Sequence, residues 1–276
     1  MLDFLEHGKF LPHRPLRDNK LNIESSSMRE DDYPVPGVYN WWSCDTKERY
    51  QHNLNVQDDN WHYRTKSVSY NLNSSGYRCP EWNDIDWKNS VVIFGCSETF
   101  GTGLAEDETI SYQLQQLIDR PVINLGKNGT SMEYALANNL ILRNNYATPV
   151  AVINHWTEPV RETYFGLDKI SHVLPRHEVY YKKHFGMLNN MVGLSVDDCE
   201  HDYNFKAKMY SETCKAIWKD IDYIESTWNY LTAIILKCYK HNKQDSARDI
   251  AYDGTSHSGK ATALELAKYY AERISV

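Results

Sequence analysis

One stretch constrains this chain more than any other: Val91-Val92-Ile93-Phe94-Gly95-Cys96-Ser97-Glu98-Thr99-Phe100-Gly101. Three β-branched residues followed by Phe, without polar alternation, read as a strand buried on both faces. The run stops at Gly-Cys-Ser, and a second glycine follows the serine by four positions. A buried strand that delivers a serine to a tight turn is how α/β enzymes hold a nucleophile at the carboxyl edge of a parallel sheet. The same pattern also fits an ordinary strand-to-loop turn with a hydrogen-bonding serine. The rest of the chain has to decide between them.

The regular part begins at about residue 89. Strand 91–95 leads to a helix near 107–119 with an apolar stripe of Ile110, Leu114, Leu117 and Ile118 and with Asp107 and Glu108 at its start, where the helix dipole favours acids. Pro121 ends it, and Val122-Ile123-Asn124-Leu125 forms the next strand. Thr130-Ser131-Met132-Glu133 is a capping-box signature for a helix to about 145. A third strand follows at 149–153. Strands alternating with helices in short crossovers predict a parallel sheet with right-handed connections. The irregular stretch at about 160–200 reads as an insertion, with His172, His177 and His184 lacking metal-ligand spacing. Asp197 to Asp202 reads as an acidic helix start and not as a cation site. From Ser195 to Asp253 there is no Gly or Pro, so long helices are expected. Ile217, Ile221, Ile224, Trp228, Leu231, Ile235 and Cys238 form a heptad-like seam that packs on the sheet or pairs with a second copy of the chain. The last helix starts near Ser258 and is expected to bury Ala261, Leu264, Ala267, Ala271 and Ile274.

Residues 1–88 differ in character. They hold five of the eight tryptophans, at 41, 42, 61, 82 and 87, with recurrent turn signals and little helical period. They read as an irregular, partly β extension packed on the main domain through its aromatics. A net charge of −7 and no basic block argue against nucleic acid as partner. No apolar run approaches the ~20 residues of a membrane span, and Met1 to His7 carries acids where a signal peptide needs bases. A cytoplasmic protein is expected. Six cysteines without CxxC pairs read as free thiols, with no zinc site and no other cofactor called for.

Four segments fall where a parallel sheet would gather them. They are Gly95-Cys96-Ser97, Asn124 to Ser131 entering a helix N-terminus, Asn154-His155-Trp156-Thr157-Glu158 after the third strand, and Asp253 to Gly259 before the last helix. Free N–H groups at a helix N-terminus suit a developing negative charge. A serine hydroxyl needs a base in reach and a carboxylate to orient that base. His257 and Asp253 offer both from one loop.

These blocks resemble the SGNH (GDSL-type) hydrolase family in order and placement, over about residues 67–160 and 249–276. The first block resembles the family's Gly-Asp-Ser segment, with Cys96 in place of Asp. The second places Gly129 where the family has its oxyanion-hole glycine. In the third, Thr157 stands where the family has Asn, and Asn154 is the alternative donor. In the last, Asp253 and His257 stand four apart where the family's Asp and His are three apart, with Asp249 as a substitute. The resemblance implies an α/β/α three-layer sandwich on a parallel flavodoxin-like sheet, with the hydrolase-like domain over 89–276 following the irregular extension over 1–88 read from composition. It implies a serine esterase in which Ser97 attacks, His257 moves the proton and Asp253 orients it. The oxyanion would be bound by Ser97, Gly129 and either Thr157 or Asn154. The same likeness implies esters such as O-acetylated sugars, lipids or thioesters, and the tryptophan-rich extension points among them to carbohydrate. A non-catalytic binding or assembly module and an O-acyltransferase on the same triad are the alternatives.

Overall fold

The computed structural model describes residues 36–165, 170–173 and 196–275. The expectations for the N-terminal segment before residue 36, and for His177, His184 and their neighbours, fall outside the described residues.

Five strands make the central sheet: β3 (Val91–Gly95), β4 (Val122–Gly126), β5 (Ala151–Trp156), β8 (Asp222–Thr227) and the short β9 (Tyr239–Lys240). Their spatial order is β4-β3-β5-β8-β9 and every pair is parallel. Two antiparallel pairs lie outside it: β1 (Gly37–Tyr39) with β2 (Tyr70–Leu72), and β6 (Glu162–Phe165) with β7 (Ile170–Val173). The central order doubles back at β3, so the β3–β5 boundary is a topological switch point, where loops part and leave a crevice at the carboxyl ends.

The alternation of a strand's side chains distributes the core between two layers. Val91 and Ile93 face one layer with helix α3 (Ile110–Ile118) and the last helix, α7 (Lys260–Ala271). Val92 and Phe94 face the other, with α4 (Met132–Asn145) and α5 (Val196–Ile217). All four strand residues are buried, as an uninterrupted apolar run requires. Thr109 and Ser131 accept from the backbone N–H of Tyr112 and Tyr134 and so cap α3 and α4. Ile110, Leu114 and Ile118 are buried, whereas Leu117 is exposed. In α7 the buried set is Ala263, Leu266, Ala267 and Tyr270, with Ile274 beyond it. Ala261, Leu264 and Ala271 are only half-buried.

One expectation needs correcting. The seam over 217–238 is not one helix: β8 occupies 222–227, between α5 and the short α6 (Tyr230–Leu236). Ile224 is buried as a strand residue, paired with Ile153 of β5, so the heptad-like spacing was coincidental. No continuous helical face exists there to pair with a second copy. Asp197 to Asp202 lies in the first turns of α5, as an acidic helix start should.

Residues 36–88 contribute to the sheet's own core. Trp42 stacks on Phe100 at 6.0 Å between ring centroids, and Tyr63, Val68, Tyr70 and Leu72 join the cluster around Val91 and Ile93. Among the described residues, no helix is long and apolar enough to cross a membrane.

Candidate active site

Ser97 opens α2 (Ser97–Phe100), a single helical turn immediately after β3, with Gly101 in the left-handed region closing it. The turn is drawn tightly onto the sheet. A Cβ at Gly126 would lie 2.5 Å from the Phe100 nitrogen, so only glycine lets α2 sit against β4. Ser97 is nearly buried, at 8% exposure.

His257 reaches Ser97 from a loop 160 residues away in sequence. Its Nε2 lies 2.7 Å from Ser97 Oγ, and its Nδ1 lies 2.6 Å from Asp249 Oδ2. The other Asp249 oxygen accepts the His257 backbone N–H at 3.1 Å, so one carboxylate grips both ring and main chain. The loop is fastened twice more: Ala247 N–H donates to the His257 carbonyl, and Ser258 N–H donates to Glu98 of α2. Burial on its own would lower the His257 pKa, but the charge and hydrogen bond of Asp249 outweigh it and hold it well above the usual value. Burial would likewise raise Asp249, and His257 holds it below the usual carboxylate range.

The carboxylate beside His257 is therefore Asp249 and not Asp253. Asp253 is exposed and accepts from the backbone N–H and hydroxyl of Thr255 at 3.0 and 2.6 Å. Those bonds close a surface turn, with Gly254 at φ +81° and Ala251 N–H donating to the Thr255 carbonyl. The turn occupies the residues between Asp249 and His257, and it points the nearer acid at solvent.

Segments remote in sequence fix Asp249. Helix α1 (Lys47–Val56) sends Asn53 to the carbonyls of Arg248 and Ile250, at 3.2 and 3.0 Å. Arg248 forms a buried ion pair with Asp45 at 2.6 Å and lies 4.3 Å from the Trp41 ring. Gly103, at φ +77°, accepts from Arg248 N–H, and a Cβ there would crowd Ala247 at 2.9 Å. Cys44 donates its thiol to Asp249 Oδ2 at 3.3 Å, with its sulfur 3.8 Å from His257 Nδ1. Neither Cys44 nor Asn53 carries a local sequence signal; both act across about two hundred residues of chain.

The loop after β4 crosses the same edge. Lys127 N–H donates to the Gly95 carbonyl, and Asn128 donates to Thr102 Oγ1 at 2.6 Å. Gly129 takes φ +73° at the tip, a conformation natural to glycine. The Lys127 side chain runs inward to the Gly76 carbonyl, with its ammonium 4.3 Å from the Tyr77 ring centre. Burial pushes its pKa down to about 7.

At the end of β5 the two candidate donors separate. Asn154 faces the α4–α5 layer, accepting from Asn139 at 3.0 Å and donating to Tyr223 at 2.8 Å. Its amide is committed there, which removes it as an oxyanion donor. Thr157 is buried, and its hydroxyl has no hydrogen-bond partner, while its carbonyl accepts from Thr232. His155 is buried between them in sequence, bonded to Ser226 and Tyr270, and burial holds it well below its usual pKa.

No protein-family model matches the sequence, and no curated protein matches it. Solved structures similar to the chain include a carbohydrate esterase family 2 enzyme with a carbohydrate-binding domain from Corynascus thermopiles (Myceliophthora fergusii). That match has 12% identity and a TM-score of 0.39, over 68% of this chain and 65% of that one. An acetyl xylan esterase from Butyrivibrio proteoclasticus matches at 10% identity and a TM-score of 0.42, over 75% and 65%. A member of the lipolytic G-D-S-L family from Veillonella parvula DSM 2008 matches at 13% and 0.32, over 67% and 97%. The chain thus spans about two thirds of the length of the two esterases. The likeness is one of chain path alone.

Proposed function

We propose that the protein is a serine ester hydrolase of the SGNH type, working through an acyl-enzyme on Ser97, His257 and Asp249. One observation carries the reading: a buried carboxylate, an imidazole and a serine hydroxyl stand in line at 2.6 and 2.7 Å at the switch point of a parallel sheet. Ser97 Oγ attacks the ester carbonyl as its proton passes to His257 Nε2. Asp249 keeps the ring in the tautomer with Nδ1–H and stabilises the imidazolium that forms. The tetrahedral oxyanion is held by the Ser97 N–H, left without an intrahelical acceptor at the start of α2, and by the Gly129 N–H. Thr157 Oγ completes the hole; its lack of a partner is what a hydroxyl reserved for substrate would require. Collapse returns the proton from His257 to the leaving alcohol, and water then repeats the sequence in reverse roles to free the acid.

Short acyl esters on carbohydrate are the substrate class put forward, since the half-buried Trp41 of the 36–88 segment lies over Arg248, next in sequence to Asp249, and aromatic faces stack on sugar rings. The test is a pre-steady-state assay with p-nitrophenyl acetate. A burst of one nitrophenolate per enzyme followed by slower turnover is expected, lost in Ser97→Ala. Turnover that survives in Ser97→Ala, or protein inert to all acyl esters, would leave a binding module as the better account.

A further inference from the structure

Cys44 holds Asp249 by a hydrogen bond, a task that does not call for a thiol. Its thiol touches the far side of the Asp249–His257 pair, where neither proton transfer nor oxyanion binding has use for sulfur. Cys44 Sγ, Asp249 Oδ2 and His257 Nδ1 all lie within 4.8 Å of one another, and they form the only group of three such donors among the described residues. Their separations are 3.3, 3.8 and 2.6 Å. In a tetrahedral zinc site with bonds of about 2.0–2.3 Å, the ligand atoms stand about 3.3–3.6 Å apart. Two of the three edges therefore already fit within a few tenths of an ångström. Only the Nδ1–Oδ2 edge must open, by about 0.7 Å, and the hydrogen bond that now closes it is lost when a cation replaces the proton.

We propose that Cys44, Asp249 and His257 form an inhibitory site for a thiophilic divalent cation of the zinc class, with water as the fourth ligand. The donor set is one thiolate, one carboxylate and one imidazole, which suits zinc and disfavours magnesium or calcium. Cys44 and His257 are partly exposed, so the cation has a route in. Metal binding displaces the Cys44 thiol proton to solvent. It also moves the single proton of the neutral His257 ring from Nδ1 to Nε2 by exchange through solvent, because the lone pair of Nδ1 becomes the ligand. The neutral ring then carries its proton on Nε2, which faces Ser97. A ring with Nε2–H donates to Ser97 Oγ and cannot accept its proton, so the bound cation switches off the general base without touching the serine. The switching consequence rests on the acyl-enzyme reading; the site itself does not.

The full chain, reduced and metal-free, is titrated with Co²⁺. The expected result is one equivalent bound, with a thiolate-to-cobalt charge-transfer band and intense tetrahedral ligand-field bands, all lost in Cys44→Ser. In parallel, Zn²⁺ should shield Cys44 of the unmutated protein from iodoacetamide, read by mass spectrometry of its peptide, so the test stands even where the variant fails to fold. Labelling of Ser97 by a fluorophosphonate should slow at least about tenfold with saturating Zn²⁺ in the unmutated chain and less than about twofold in Cys44→Ser, each compared with its own metal-free rate. Cobalt bands that persist in Cys44→Ser, or Cys44 alkylated equally fast with and without Zn²⁺, would overturn the site. Metal-free protein that resists labelling while the cobalt bands appear would overturn the esterase reading and leave the site standing.

Discussion

Two aspartates four residues apart compete for His257, and burial separates their roles. Asp249 is 1% exposed and bonds the imidazole, while Asp253 is solvated and bonds its own turn. Asp249→Asn should lower kcat about 10³–10⁴-fold, because an amide stabilises neither the productive tautomer nor the imidazolium. Asp253→Asn should stay within about twofold, and steady-state kinetics on the two variants compares them directly. The same contact sets the pH response. The proposed mechanism needs neutral His257, and Asp249 holds the pKa of the ring above the usual 6.5. The acid limb of kcat/KM should therefore rise through a midpoint above 6.5, and a limb at or below it would contradict the pairing. On the donor role proposed for Thr157, Thr157→Val should cost about 10²-fold in kcat with little change in KM, since such a donor acts only in the transition state.

At the level of elements, the crossover units could be read because their signals are local. The apolar run of β3, the Thr130–Glu133 capping signature ahead of α4 and the stripe of α3 each lie within a dozen residues, and β3, β4 and β5 formed within three residues of the expected bounds. What could not be read depends on contacts far apart. Residues 222–227 have helical spacing in the sequence, yet hydrogen bonding to β5 decides their state. Asp249 gains its role from Asn53, Arg248 and Gly103, whereas Asp253 was favoured by its nearness to His257 in sequence and by the last block of the resemblance. Thr157 and Asn154 could be told apart only once the alternation of β5 turned Asn154 toward α4. The Asp45–Arg248 pair is the element-scale support of the site. Asp45→Ala leaves a guanidinium buried without its anion, so stability should fall by about 3–5 kcal/mol in urea unfolding. A loss under about 1 kcal/mol would mean that α1 and the Trp41–Trp42 turn hold Asp249 without it.

For the whole molecule, the sheet and the 36–88 segment share one core. Trp42, Tyr63, Tyr70 and Leu72 pack in the same cluster as Val91, Phe100 and Leu266. Arg78 ties the two by donating to the carbonyls of Ser69, Gly101 and Leu104. Thermal unfolding should then show one transition, with near-ultraviolet and far-ultraviolet circular dichroism coincident. Two resolved transitions would mean that the segment folds as a separate unit. The serine at the end of β3 is where these scales meet: a buried strand presents it, the His257 loop from the far end of the chain bonds it, and the 36–88 segment steadies that loop. The most direct measurement is intact-protein and peptide mass spectrometry after a fluorophosphonate probe at neutral to mildly alkaline pH. A single adduct on Ser97, absent in Ser97→Ala and slowed about 10³-fold in Asp249→Asn, is the predicted result. An unlabelled protein, or an adduct on any other residue, would contradict the assignment of Ser97 as the nucleophile.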